Sequence, residues 1–365
     1  MNLTARTVAE IPGGWLAAFG LAAAIGLVSC SSPGPGPTGV SPTVEGPRQE
    51  EVPADPGSLV VYSGRAESLV QPLIQQFADA TGIDVQVRYG TTAEMAATIL
   101  EEGAESPADV FFAQDPGGLA AVAAAGLLAP LPEGLVAKVD PRFTGPDGRW
   151  VGISGRARVA TYNTERVDPT DLPAGLEGFT DPVWRGRIGL APTNASFHAM
   201  VTAMRRVWGE QAARAWLEGL LANQPAFYDN NTAVVAAVGA GEIDVGLVNH
   251  YYLHRFLAEQ GESFPARNYY LPGGGPGSLV MAAGAGRLAT GANEANAVKF
   301  IEFLLSTVAQ TYFATSTFEY PMIDGVPIDA GLTPLAELSA PDIPLIELAD
   351  LDGTVALLQE TGYLP

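Results

Sequence analysis

The chain has 365 residues, 47% of them hydrophobic, and sets 19 Lys plus Arg against 40 Asp plus Glu for a formal charge of -21. That apolar share can bury a sizeable core in two lobes, and it excludes general disorder. The acidic balance argues against nucleic acid or an anionic lipid surface as partner and leaves cations as the more natural company, although surface acidity also serves solubility alone.

Arg6 gives the N-terminus a thin positive end, residues 15–28 form an apolar run, and Leu27, Val28, Ser29 and Cys30 close it. The run falls short of the ~20 apolar residues a membrane span needs. The closing tetrad is similar to a bacterial lipobox, whose cysteine becomes the first mature residue and carries the lipid. Residues 1–30 are therefore expected to be a lipoprotein signal segment, with Cys30 the lipidation site. The folded part is expected to be exported and lipid-anchored to the outer face of a membrane, at the cell surface or in the periplasm. Cys30 is the only cysteine, so a disulfide framework, a thiolate metal site and a cysteine nucleophile are all excluded. Residues 31–57, made of Ser, Pro, Gly and acidic residues, read as a flexible tether.

Beyond the tether the apolar spacing switches repeatedly between strand and helix. A strand over 59–62, a helix over 67–80 stopped at Gly82 and a strand over 83–89 make a unit of the kind that builds parallel sheets. A helix over 95–100, a buried strand over 108–112 and a helix over 119–125 repeat it. Gln114 and Asp115 thus fall just past a strand's C-terminal end, where ligand residues sit in such sheets, though Asp115, Pro116 and Gly117 equally make a turn. Strands over 150–153 and 157–162 are candidates for the crossing between two lobes. A strand over 187–190, helices over 197–207, 211–221 and 233–238, and a strand over 243–248 follow. After a Gly and Pro-rich loop over 269–277 come a return strand over 278–283, one long amphipathic helix over 296–313 and a short one over 354–360. This order predicts an α/β fold of two lobes, each a mostly parallel sheet flanked by helices. Lobe 1 would be 58–156 plus 282–330, lobe 2 would be 157–281 plus 331–365, and the ligand would lie between them.

Asn249, His250, Tyr251 and Tyr252 stand where the strand over 243–248 gives way to a helix. Two adjacent tyrosines there are either half-buried packing with polar tips or ligands over the helix's free N–H groups. Phenolate oxygen is a hard, anionic donor that suits a hard, highly charged cation such as ferric iron. A free phenol has a pKa of about 10, so binding must expel protons and weaken as pH falls. Two phenolates do not fill a coordination shell. Asn194, Ser196 and Asn231 stand where they either cap a following helix or help an anion sit on its N–H groups. His250 and His254, at i and i+4, are a competing zinc pair, but Tyr251 occupies the place where a helical zinc hydrolase carries its glutamate.

From residue 59 to 364 the chain resembles the bacterial ferric-iron-binding proteins, the substrate-binding components of iron ABC transporters. The resemblance rests on Val61, Tyr62, Ser63, Gly64 and Arg65, on Pro107 with Ala108, Asp109, Val110 and Phe111, and on Ser154, Gly155, Arg156, Ala157, Arg158 and Val159. It continues through Asn249 to Tyr252 and through Glu319, Tyr320 and Pro321. It implies a type II periplasmic-binding-protein fold and a monomeric, non-enzymatic protein. Such a protein closes on ferric iron and a synergistic anion, carbonate or phosphate, and hands the metal to an ABC permease in the cytoplasmic membrane. It also implies Tyr251 and Tyr252 as metal ligands, with Asn194, Ser196, Asn231, Asn249, Arg65, Gln114 and Asp115 as anion-binding or auxiliary residues. The chain departs from the family's pattern at Ala66, where some members have histidine, and at Gln114, where some have glutamate. Other members carry a further tyrosine in the turn that here reads Asn194, Ala195, Ser196, Phe197, which leaves Asp115 or His198 as substitutes. The alternatives are a binding protein of the same fold for another anion or a metal chelate, and an exported metal-dependent hydrolase using His250 and His254.

Overall fold

The computed structural model describes residues 56–365. The expected signal segment, Cys30 and nearly all of the tether lie outside the described residues. The first half is built from β1 (Ser58–Ser63), α1 (Glu67–Thr81), β2 (Asp84–Tyr89), α2 (Thr92–Glu102), β3 (Val110–Ala113), α3 (Pro116–Ala124), β4 (Leu128–Ala129) and α4 (Glu133–Val136). The long strand β5 (Trp150–Asn163) leads into β6 (Ile188–Leu190), α5 (Ala195–Val207), α6 (Glu210–Ala222), β7 (Ala226–Phe227), α7 (Asn231–Ala240), β8 (Val245–Asn249), α8 (Tyr251–Gln260) and β9 (Ala266–Tyr269). The chain returns through β10 (Val280–Leu288), α9 (Glu294–Leu304), α10 (Thr307–Ser316) and β11 (Tyr320–Pro321), and closes with α11 (Leu351–Glu360).

Local chemistry accounts for these elements. In α1, Val70, Leu73, Ile74 and Phe77 recur at helical spacing and are buried, and Gly82 ends the helix at a φ of 73° that a side chain would strain. Asp115 caps α3, accepting from the Gly117 N–H at 3.2 Å, with Pro116 in the first helical position. In β8 a Cβ on Gly246 would lie 2.4 Å from Val234, so the bare backbone lets α7 approach the strand that leads into the Tyr251 and Tyr252 junction.

The eleven strands of the described residues join through one ladder because β5 belongs to both halves. Its first part pairs with β10 and β11, its second with β8 and β9. The sheets are mixed rather than mostly parallel. β1 is parallel to β2 and β3, and β6 to β7 and β8, but the crossing strand β5 and the returning β10 run against their neighbours. The two short strands expected over 150–153 and 157–162 are one, since Ser154, Gly155 and Arg156 keep pairing with Ala283, Ala282 and Met281. The long helix expected over 296–313 is two, because Ser306 breaks it and caps α10 by accepting from the Ala309 N–H. A large cluster containing Phe111, Phe112, Trp150, Phe300 and Phe313 fills the first half, and two clusters, around Trp216 and around Val234, cover the two faces of the second sheet. The tail serves both halves: Leu332, Ile343, Leu345 and Leu348 pack in the first cluster, Leu357, Leu358 and Tyr363 in the second.

Candidate metal and anion site

Every residue of β8 is buried, and the strand delivers Asn249 at its end and Tyr251 and Tyr252 in the first turn of α8. These three border a cleft of about 1000 Å³ whose other walls include Gln114, Asp115, Arg156, Asn194, Ser196 and His198. The two phenol rings lie 4.3 Å apart, centroid to centroid, inclined at 31°. Arg255, one helical turn on, holds its guanidinium 4.9 Å from the Tyr251 ring and 5.5 Å from the Tyr252 ring. Burial raises the Tyr251 phenol well above its ordinary value, Tyr252 adds to the rise, and Arg156 opposes it. The proton therefore stays on until a cation displaces it.

Near the tyrosines lies Arg158, 1% exposed and without a carboxylate partner among the described residues. Its Nη1 donates to Ser196 Oγ at 3.0 Å and to Asn249 Oδ1 at 3.2 Å, and its Nη2 donates to the Leu247 carbonyl at 2.6 Å. Burial pushes it down to about 9, and ionised Tyr252 and Tyr251 would draw it back up. Cation and phenolates thus favour one another. Arg156 and Arg158 project from the same face of β5, two residues apart, yet Arg156 pairs into the first sheet and Arg158 into the second.

The expected anion-binding residues are largely brought together, with their roles redistributed. Asn194 caps α5, its Oδ1 accepting from the Ser196 N–H at 3.0 Å and from the Ser196 hydroxyl at 2.6 Å. Ser196 Oγ also accepts from Arg158 and from the Asn231 amide, so it is saturated and holds the network rather than a ligand. Asn231 is buried below it, and the cap of α7 is Asn230. The side-chain N–H groups of Asn194 and Asn249 have no protein acceptor among the described residues, and both residues border the cleft. Gln114 and Asp115 reach the opposite wall, where the Gln114 carbonyl accepts from Arg156.

Arg65 is a correction. It is fully buried and forms a bidentate pair with Glu319 at 2.8 and 2.6 Å, flanked by the Phe112 and Phe313 rings, so it is no anion ligand. Burial would raise the Glu319 carboxyl, but the charge and hydrogen bonds of Arg65, with Arg156 and the Thr317 hydroxyl, hold it down to about 2. The zinc pair is a second correction. His250 Nδ1 accepts from the Ala157 N–H at 3.1 Å and its Nε2 donates to the Phe318 carbonyl at 2.7 Å, so both ring nitrogens are spent. No group of three or more His, Cys, Asp or Glu able to hold a metal occurs among the described residues. Sequence reasoning missed Arg156, Arg158 and Arg255 as site residues. The available signal was two arginines at i and i+2 inside an otherwise apolar strand, where an unpaired charge is rare.

Residues 105–343 match the family of bacterial extracellular solute-binding proteins. The chain belongs to this family. The Fe(3+)-binding periplasmic protein of Serratia marcescens is 35% identical to this solute-binding protein over 313 residues, 85% of this chain and 92% of the relative. The major ferric iron-binding protein of Neisseria meningitidis serogroup B is 34% identical over 308 residues, 83% of this chain and 92% of the relative. Among solved structures, iron-bound HitA from Pseudomonas aeruginosa superposes with a TM-score of 0.78 at 36% identity, covering 84% of this chain and 99% of that one. The Trichodesmium protein IdiA (FutA), solved with iron and citrate ligands, gives 0.74 at 30% identity, covering 84% and 100%. The two-lobed, type II periplasmic-binding-protein architecture expected from the sequence is the one this solute-binding protein adopts. Its relatives are binding proteins and not enzymes, which with the spent His250 removes the hydrolase reading.

Proposed function

We propose that this solute-binding protein captures ferric iron with a synergistic anion in the cleft and delivers it to an ABC permease in the cytoplasmic membrane. It acts as a monomer, held to the outer face of a membrane by lipid on Cys30. The observation that carries this reading is the placement of Tyr251 and Tyr252 side by side on the cleft wall near a buried Arg158 that lacks a carboxylate among the described residues. Two phenols whose protons a trivalent cation displaces to water still leave one positive charge on the metal, and with the buried Arg158 this makes a positive site for an oxyanion to balance. The free amide donors of Asn194 and Asn249 supply hydrogen bonds for an oxyanion that completes the shell. The iron-binding names of the relatives support the metal. A neighbour solved with iron and citrate supports an anion of the carboxylate type, and carbonate and phosphate offer equivalent oxygen donors.

The test is a ferric titration of the purified protein in the presence of carbonate, phosphate or citrate. A visible phenolate-to-iron charge-transfer band is expected, lost in the Tyr251→Phe, Tyr252→Phe double variant. A colourless wild-type protein with no thermal shift would reject the reading.

A further inference from the structure

We propose that His198 supplies, through Nδ1, a third protein-derived ligand to the ferric ion. This rests on the ferric-iron reading of the cleft and deepens it. The chain has three histidines. Those of His250 are consumed by Ala157 and Phe318, and His254 is buried against the Phe318 ring, with centroids 5.6 Å apart, and does not border the cleft. His198 does border it. Its Nε2 lies 2.8 Å from the Pro192 carbonyl. A carbonyl only accepts, so Nε2 carries the proton and Nδ1 keeps the lone pair. Nδ1 has no protein partner among the described residues. A ligating imidazole typically donates its other N–H to a backbone carbonyl, which fixes the ring and raises the basicity of the coordinating nitrogen. His198 has that arrangement already in place.

The framework also places it on the same cleft as the tyrosines. Arg158 bridges Ser196 and Asn249, at 3.0 and 3.2 Å, and so pins the first turn of α5 to the end of β8. His198 follows Ser196 by two residues as Tyr251 follows Asn249 by two. Phe197, buried and stacked on Tyr363 at 5.9 Å, and Thr202, whose hydroxyl donates to the His198 carbonyl at 3.0 Å, root this turn of the helix. A neutral imidazole beside two phenolates makes a mixed nitrogen and oxygen set of net charge two minus around a trivalent cation, leaving one positive charge for the anion to neutralise. All three ligands then come from the second half.

The experiment uses the full exported chain, with His198→Gln and His198→Ala beside the wild type. Glutamine can keep a donor for the Pro192 carbonyl while removing the ring nitrogen, and alanine leaves a space that free imidazole can fill. Thermal melts without iron check folding. Expected in both variants are a charge-transfer band that persists at a shifted wavelength and a ferric affinity at least ~10-fold weaker in competition with citrate. Added imidazole should restore the wild-type band in His198→Ala alone, and pulsed electron paramagnetic resonance should detect a coordinated imidazole nitrogen only in the wild type and the rescued variant. Wild-type band and affinity in His198→Gln would overturn the assignment, as would a loss in His198→Ala that imidazole does not repair. A wild-type protein with no band would fail the ferric reading itself, and this assignment with it, so the two failures are distinguishable.

Discussion

Arg65 and Arg158 are both buried arginines near the tyrosine pair, and their surroundings differ in one respect. Arg65 has a carboxylate in bidentate contact, and Arg158 has only neutral oxygens. The first site is complete as it stands and belongs to the scaffold. The second carries a charge that no carboxylate among the described residues balances, and an oxyanion bound in the cleft would balance it. The contrast teaches that burial of a charge alone does not distinguish structure from function. The presence or absence of a counter-charge does.

The largest expected effect tests the scaffold side. Glu319→Ala leaves the Arg65 charge uncompensated in an apolar setting and should cost about 3–5 kcal/mol in denaturant unfolding, with Glu319→Gln somewhat less. The same pair has an acid signature. Because Glu319 is held down to about 2 against an ordinary 4.5, its stabilisation is complete above pH 4.5 and is lost as pH falls toward 2. The loss is on the order of 3 kcal/mol and should be missing from the pH profile of the Glu319→Gln variant. Arg158→Met should behave oppositely. It leaves the Leu247 carbonyl without its partner, a cost of roughly 1–3 kcal/mol, while ferric affinity falls by a larger factor than stability does. Equal losses of stability in Arg158→Met and Glu319→Ala would erase the distinction. The smallest effect is Thr317→Val, which removes a hydroxyl shared between Glu319 at 2.8 Å and the Phe313 carbonyl at 2.9 Å and should cost about 1 kcal/mol with no change in iron binding.

On the binding side, the elevated Tyr251 phenol gives the metal site its own pH dependence. Proton release on ferric titration near neutral pH, and affinity that weakens as pH falls, are the expected results. Binding without proton release would separate the tyrosines from the metal.

The fold was legible wherever apolar spacing ran long enough to show a period: α1, β8 and the junction into α8 are where the pattern puts them. It failed where a single residue punctuates a continuous pattern, as Ser306 does between α9 and α10, and where strands are two residues long, as β4, β7 and β11 are. Within the site, the tyrosines could be read because their chemistry is local to one turn. Arg65 could not, because the carboxylate that claims it lies 254 residues away in the chain. Arg158 could not either, since a letter in a strand does not say whether its charge will find a partner.

The continuity of β5 has an evolutionary consequence. Side chains of a strand alternate between faces, and β5 is the one strand that sets this alternation for both sheets at once. Inserting or deleting a single residue near Ala157 would leave either sheet able to keep its own ladder, but would send Arg156 and Arg158 to opposite faces. The middle of β5 cannot change its count without separating these two arginines.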